Sequence, residues 1–202
     1  MQVLSFIAYK RKTHGSMDMM ISPAAAVETY ILAKDGNRPF LMTRAFAANA
    51  ELEMVVKTDA ISFPSTARGV SEIADVLVRR FGADYENVYT VCLSRPSDAD
   101  PRHFACRWLV GMSTKSDGQV RVGCGRYDWT FGSDGLVEKL VITIDIMNLF
   151  PAAELTATMA WLSRLPYPWC TPGDVLEGMP KAAGFAAIEA YVKQAKAIPQ
   201  AQ

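Results

Sequence analysis

The sequence predicts an α+β fold in which helices come first, a curved sheet second and a helical tail last. Three observations carry this. Apolar residues recur at helical spacing between Ser22 and Gly82, and they switch to a period of two from Tyr85 to Met147. The polar, glycine-ended links Ser116-Asp117-Gly118 and Ser133-Asp134-Gly135 are of hairpin length, so consecutive strands are expected to pair antiparallel. A chain of 202 residues, 50% hydrophobic and 21% charged, is long enough to bury one real core, and no internal repeat or linker divides it.

The elements follow in order. Ser22-Pro23 is an N-cap with proline at the first helical position, Ala26, Val27, Tyr30 and Ile31 form the apolar stripe, and Asp35-Gly36 stops the helix. A second short helix is expected from Pro39 through Phe46, ending near Asn49, which makes an αα-hairpin with the first. Glu51-Leu52-Glu53-Met54 alternates as a half-buried strand does, and Ile61-Ser62-Phe63 before Pro64 reads as a second short strand. Gly69 opens a third helix with Ile73, Val76, Leu77 and Phe81 on one face, and Gly82 is expected to end it. Val88 to Leu93, Phe104 to Met112, Val120 to Phe131 and Leu136 to Met147 read as four long strands forming a meander. Gly123-Cys124-Gly125 inside the third of these marks a bend or bulge. Pro151 begins a further helix through Leu155, Met159 and Leu162, the run Leu165 to Cys170 is too proline-rich to continue it, and the alanine-rich stretch from Pro180 to Lys196 is expected to be helical. Residues 1 to 20 read as a disordered lead or an over-extended start, residues 21 to 150 as the α+β domain, and residues 151 to 202 as an extension packed on it.

Composition excludes several classes of function. Lysine plus arginine equal aspartate plus glutamate at 21 each, so no net field draws the chain to nucleic acid or to an anionic membrane. The best apolar stretch, Leu140 to Phe150, carries Asp145 and falls short of the roughly 18 to 20 residues of a spanning helix. Near the N-terminus, apolar Val3 to Ile7 precede basic Lys10, Arg11 and Lys12, the reverse of a secretory signal, so a cytoplasmic protein is expected. Cys92, Cys106, Cys124 and Cys170 are widely spaced without a C-x-x-C and read as buried reduced thiols. His14 and His103 are the only histidines, too few for a histidine-based metal site, and neither a glycine-rich phosphate loop nor a dinucleotide fingerprint is present. No cofactor is expected.

Helix, helix, strand, helix and a bent antiparallel meander, in that order, resemble the nuclear transport factor 2-like superfamily and its SnoaL-like group. The resemblance covers residues 22 to 150 and rests on Tyr30 with Ala47-Ala48-Asn49-Ala50-Glu51-Leu52, on Gly69 with Ile73, and on Gly125-Arg126-Tyr127-Asp128-Trp129-Thr130-Phe131 followed by Asp134-Gly135-Leu136-Val137. It implies a cystatin-like α+β roll: a cone-shaped, mixed or antiparallel sheet packed on three N-terminal helices, with an apolar cavity against its concave face. Strand parity then puts Tyr127, Trp129 and Phe131 on the cavity side and Arg126, Asp128 and Thr130 on the convex side. Leu140, Ile142 and Ile144 share the cavity role on the next strand.

Matched without gaps to ketosteroid isomerases, the family's hydrogen-bonding tyrosine falls on Tyr30, but its general-base aspartate falls on Met54 and its protonated acid on Tyr127. Methionine cannot abstract a proton from carbon, so that activity is not expected. The Arg-x-Asp and second aspartate of limonene epoxide hydrolases fail likewise, because the latter falls on Ile142 and Arg126-Tyr127-Asp128 points its charges to the convex face. There, with Asp145 and Arg107, an ion-pair ladder is expected. The reading that results is a binder of a small apolar ligand, homodimeric through the convex face, with Tyr30, Met54, Tyr127, Trp129 and Ile142 lining the pocket. Two alternatives stand beside it: a cofactor-independent isomerase, cyclase or dehydratase in which Tyr30 or Tyr127 donates to an oxyanion and a loop carboxylate such as Asp59 is the base, and an accessory subunit like the beta subunits of ring-hydroxylating oxygenases. Trp169 has two places open to it, the cavity mouth or a partner subunit.

Overall fold

The structure is a computed structural model that describes residues 20–97 and 102–195. The first helix, α1 (Pro23–Asp35), starts where expected: the Ser22 side chain accepts from the Ala25 N–H at 3.2 Å, and the chain leaves the helix at Gly36. Its buried stripe is Ala26, Val27, Tyr30 and Ile31, and it continues one turn further to Lys34.

The expected second helix is a short 3₁₀ helix, Pro39–Arg44, and strand β1 (Phe46–Val56) begins at once. Sheet pairing begins at the last residue of the expected helix: Phe46 pairs with Val137, a bulge follows, and Glu51 onward pairs with Lys139 onward. The second strand is likewise displaced. It is β2 (Thr66–Arg68), antiparallel to β1, whereas Ile61 to Phe63 lie in the preceding loop and turn their apolar side chains onto the core instead of pairing.

Gly69, at φ 79°, turns the chain from β2 into the next helix in a conformation L side chains rarely adopt. That helix runs as α2 (Val70–Ala74), a π-helical turn (Asp75–Arg80) and α3 (Phe81–Asp84), so it passes the expected stop at Gly82. Gly82 serves a different need: a Cβ there would stand 2.7 Å from the Asn37 side chain after α1, so glycine lets the two segments touch.

The meander follows as β3 (Tyr85–Cys92), β4 (His103–Thr114), β5 (Val120–Phe131) and β6 (Val137–Phe150). The six-stranded sheet has the order β2-β1-β6-β5-β4-β3, antiparallel throughout except for the parallel pair β1 and β6. The bulge read from Gly123-Cys124-Gly125 is present: Cys124 faces Ile146 and Gly125 faces Ile144, leaving Asp145 between them. The curved sheet has an apolar core on each face. On the concave side, α1 and the α2–α3 helix cover Met54, Tyr127, Trp129, Leu140 and Ile142.

The convex face holds the second core. Val91, Leu109, Val120, Val122 and Phe150 are covered by the chain's own C-terminal segment, made of α4 (Leu155–Leu162), α5 (Pro172–Leu176) and α6 (Ala186–Ala195). Leu162 of α4 sits on Gly111 of β4, where an added Cβ would stand 2.1 Å from its side chain. The expected ladder is therefore only half formed. Arg126 pairs with Asp128, but Asp145 is taken by Lys57 at 2.8 Å and by the Tyr191 hydroxyl at 2.9 Å, and the Arg107 guanidinium donates to the Tyr191 carbonyl at 2.9 Å while lying over its ring. The interacting element is α6, which sequence parity could not place.

Candidate functional site

The cavity lies between the helices and the concave face, at the broad side of the sheet. Of the five residues expected on its wall, Tyr30, Met54, Tyr127 and Ile142 line it. Trp129 does not. It is 1% exposed and packed behind Tyr30, ring centroids 5.4 Å apart, and against Phe46 and Phe131, so it belongs to the core beneath the wall. Parity gave Trp129 the correct face of β5, but the space in front of it is filled by the rings of Tyr30, Phe46, Tyr127 and Phe131.

The rest of the wall is apolar. Met112 and Met147 line it with Met54, Trp108 stacks on Tyr127 at 5.5 Å, and Ile61 and Phe63 join from the loop between β1 and β2. Arg121 holds that loop by donating to the Ala60 carbonyl. The open volume is about 40 Å³, well below the roughly 300–1,000 Å³ of pockets for drug-sized ligands. Three of the side chains that narrow it are methionines, whose unbranched chains change rotamer more readily than branched ones.

One end of the cavity is polar, and its central residue is Lys34. It stands three and four residues after Ile31 and Tyr30, on the buried stripe of α1, and is 7% exposed. Its Nζ donates to Asp35 Oδ1 and to Thr90 Oγ1, each at 2.7 Å, and lies 4.7 Å from the Phe81 ring centroid. Asp35 is as deeply buried and fully engaged. Its Oδ1 also accepts from the Thr90 hydroxyl at 2.8 Å, and its Oδ2 accepts from the Thr90 N–H at 2.7 Å and the Tyr167 hydroxyl at 3.1 Å. With four hydrogen bonds received, the carboxylate has no free lone pair to act as a base.

Tyr30 and Tyr127 stand beside this pair with ring centroids 6.0 Å apart. Burial pushes both phenols well above their ordinary range, and for Tyr127 the neighbouring Tyr30 adds to the rise. Both therefore stay neutral and can donate. Burial likewise raises Cys92, which lies by Cys106, and pushes Cys124 up to about 12, so these thiols are packing groups. The four cysteines are buried and unbonded. Asp59, the loop carboxylate considered as a base, is exposed and is not on the wall. His103 is exposed at the start of β4 beside Thr130; His14, Asp98 and Asp100 fall outside the described residues.

Trp169 packs, partly buried, against the concave-side core. The strap around it forms a bridge to the end of β3, with the Cys92 N–H donating to the Pro168 carbonyl at 2.7 Å and the Cys170 N–H to the Cys92 carbonyl at 2.9 Å. Its indole donates to Glu28 on α1. The strap thus ties α1 to the end of β3, with the Tyr167 hydroxyl donating to Asp35 beside Lys34. Among the described residues no helix is long and apolar enough to cross a membrane.

No family model matches the chain, and no curated protein matches it. Solved structures do. A ketosteroid isomerase from Mycobacterium sp. is 15% identical, covers 64% of this chain and 100% of its own, and superposes with a TM-score of 0.50. A Mycobacterium tuberculosis protein, RV0760c, in complex with estradiol-17beta-hemisuccinate is 14% identical over 63% of this chain and 99% of its own, TM-score 0.51. A computationally designed 17-OHP binder is 15% identical over 64% of this chain and 100% of its own, TM-score 0.50. The chain shares the fold of these proteins, a mixed, curved six-stranded sheet with helices on its concave side.

Proposed function

We propose that this protein binds a small apolar molecule in the cone cavity and performs no proton abstraction there. The observation that carries the reading is the composition of the wall: Met54, Met112, Tyr127, Ile142, Ile144 and Met147 surround the space, and Asp35, the carboxylate bonded to Lys34 at its edge, is saturated by its own neighbours. A related fold solved with estradiol-17beta-hemisuccinate and another designed as a 17-OHP binder support a binding use of this cavity without naming the ligand. An isomerase, cyclase or dehydratase would need a base that none of the lining side chains supplies.

Native mass spectrometry of the purified chain with its organic extract tests this. A co-purifying apolar compound, lost in a cavity-filling Ile142→Trp variant that keeps its melting transition, is the expected result; a compound that binds the variant equally well would place it elsewhere and overturn the reading. The homodimer is carried forward in a narrower form. With the apolar half of the convex face covered by the extension, a second copy has the charged half, Glu51, Glu53, Arg68, Arg126, Asp128 and Lys139, and sedimentation velocity in low and high salt reads whether it uses it. A cytoplasmic location is part of the same proposal.

A further inference from the structure

The open volume of about 40 Å³ has room for only a few water-sized molecules, so a larger ligand needs a part of the wall that yields. Exposure shows which part. Phe63 is half-buried, and every other lining residue is buried. Phe63 and Ile61 stand on the loop of residues 57–65, between β1 and β2. Backbone hydrogen bonds fix that loop at its two ends: the Lys57 N–H donates to the Ile144 carbonyl at 3.0 Å, and the Met54 N–H to the Ser65 carbonyl at 2.8 Å. Between those ends, among the described residues, a single hydrogen bond reaches the loop from outside, from the Arg121 guanidinium to the Ala60 carbonyl.

Arg121 is itself anchored. It stands opposite Met112 in the register of β4 and β5, its Nε donates to Thr114 Oγ1 at 3.2 Å, and its guanidinium lies 5.6 Å from the Tyr85 ring centroid. Its acceptors are a hydroxyl and a carbonyl, both neutral, so the loop is held by one bond that local motion breaks and remakes. The polar end of the cavity, by contrast, is held by the four hydrogen bonds to Asp35 and the two that tie the strap to Cys92. Resting on the cavity reading above for its purpose, we propose that the loop of residues 57–65 is the door through which molecules reach the cavity, swinging Ile61 and Phe63 outward, and that Arg121 is its latch.

Oxidation of the chain's own methionines by dilute hydrogen peroxide, read residue by residue by mass spectrometry, tests it. The peroxide gives one oxygen atom to the thioether sulfur and leaves as water. The core offers two matched pairs: Met112 on the wall and Met42 off it are each 0% exposed, and Met147 on the wall and Met179 off it are each 5% exposed. Met112 and Met147 are expected to oxidise faster than Met42 and Met179. Arg121→Leu is expected to speed the two wall methionines about 10- to 100-fold, the loss of one hydrogen bond from a charged donor, and to leave the other two unchanged. Phe63→Ala, which thins the door without touching the latch, is expected to speed the same two. Equal acceleration of all four methionines by Arg121→Leu would assign that residue to global stability and overturn the latch. Equal rates within each pair, in the wild type and in both variants, overturn the door. Either outcome leaves the cavity reading to its own co-purification test, which can fail while the door stands. Phe63→Ala decides the matter where Arg121→Leu does not fold.

Discussion

Replacing Lys34 with methionine isolates the buried charge pair. The substitution keeps the length and much of the volume of the side chain but removes the ammonium that donates to Asp35 and Thr90 at 2.7 Å. The Asp35 side chain, 6% exposed, then carries a negative charge with no cation beside it. Stripping one partner from a buried ion pair costs about 3–5 kcal/mol, and for a chain of this size each kcal/mol moves the melting temperature by about 2–4 °C, so a fall of about 6–20 °C is expected. The double variant Lys34→Met with Asp35→Asn should recover most of this. An asparagine at that position can accept from the Thr90 N–H through its oxygen and donate to the Thr90 hydroxyl through its amide, so no charge and no buried acceptor is stranded. Urea denaturation of the wild type, both single variants and the double variant closes a cycle whose coupling is expected to exceed about 2 kcal/mol. A Lys34→Met loss below about 1 kcal/mol, or single losses that simply add, would show that the pair does not interact in solution as the geometry requires.

Thr90→Val keeps the shape of the strand but removes the hydroxyl that joins Lys34 to Asp35, and a loss of about 2–3 kcal/mol is expected by urea denaturation. Gly111→Ala pushes Leu162 of α4 off the convex face, with an expected cost of about 1–3 kcal/mol that Leu162→Ala on the same background partly relieves; thermal melts of the single and double variants check it. Tyr30 and Tyr127 hold their protons above the ordinary phenol value of 10.0 when folded, so the stability they contribute is present below that pH and is lost as pH rises past it. Denaturation midpoints should fall steeply in this alkaline window for the wild type and less steeply for Tyr30→Phe with Tyr127→Phe. All four thiols are buried, so iodoacetamide should label the native chain only as fast as it unfolds, checked by mass spectrometry of timed samples.

Periodicity made the sheet legible because each long strand has one greasy face and one mixed face, and that alternation survives curvature. It failed where two patterns competed. Phe40 to Phe46 carry a helical spacing, yet β1 begins at Phe46, which pairs with Val137 of β6, and the strand then bulges before pairing resumes at Glu51. Ile61 and Phe63 alternate like a strand but serve as plugs from a loop, a choice decided by the shape of the cavity they fill. At the site, Tyr30, Met54, Tyr127 and Ile142 could be read from parity and from the family pattern, because both report which way a side chain faces. Trp129 shows the limit of that method, since facing inward does not say whether the space beyond is open. The Lys34 pair was visible in principle: Val27, Tyr30, Ile31 and Lys34 share one stripe, and a lysine on an apolar stripe asks for a partner. Its partners could not be read, because Thr90 and Tyr167 are 56 and 132 positions away from Lys34 and Asp35 respectively.

The C-terminal segment links the two halves of the molecule. Its helices complete the core on the convex face, but the strap between α4 and α5 crosses to the other side and reaches the cavity's polar end, where Tyr167 donates to Asp35 and Trp169 to Glu28. Both acceptors lie on α1, the helix that also carries Tyr30 and Lys34. Two backbone hydrogen bonds to Cys92 fix the strap to the sheet two residues beyond Thr90, so helix, strand and strap meet around one carboxylate. A charge pair this deeply buried holds its geometry only when every remaining acceptor is occupied. Tyr167 supplies the fourth hydrogen bond to Asp35, which makes the extension part of the support for Lys34 as well as the cover of the outer sheet face.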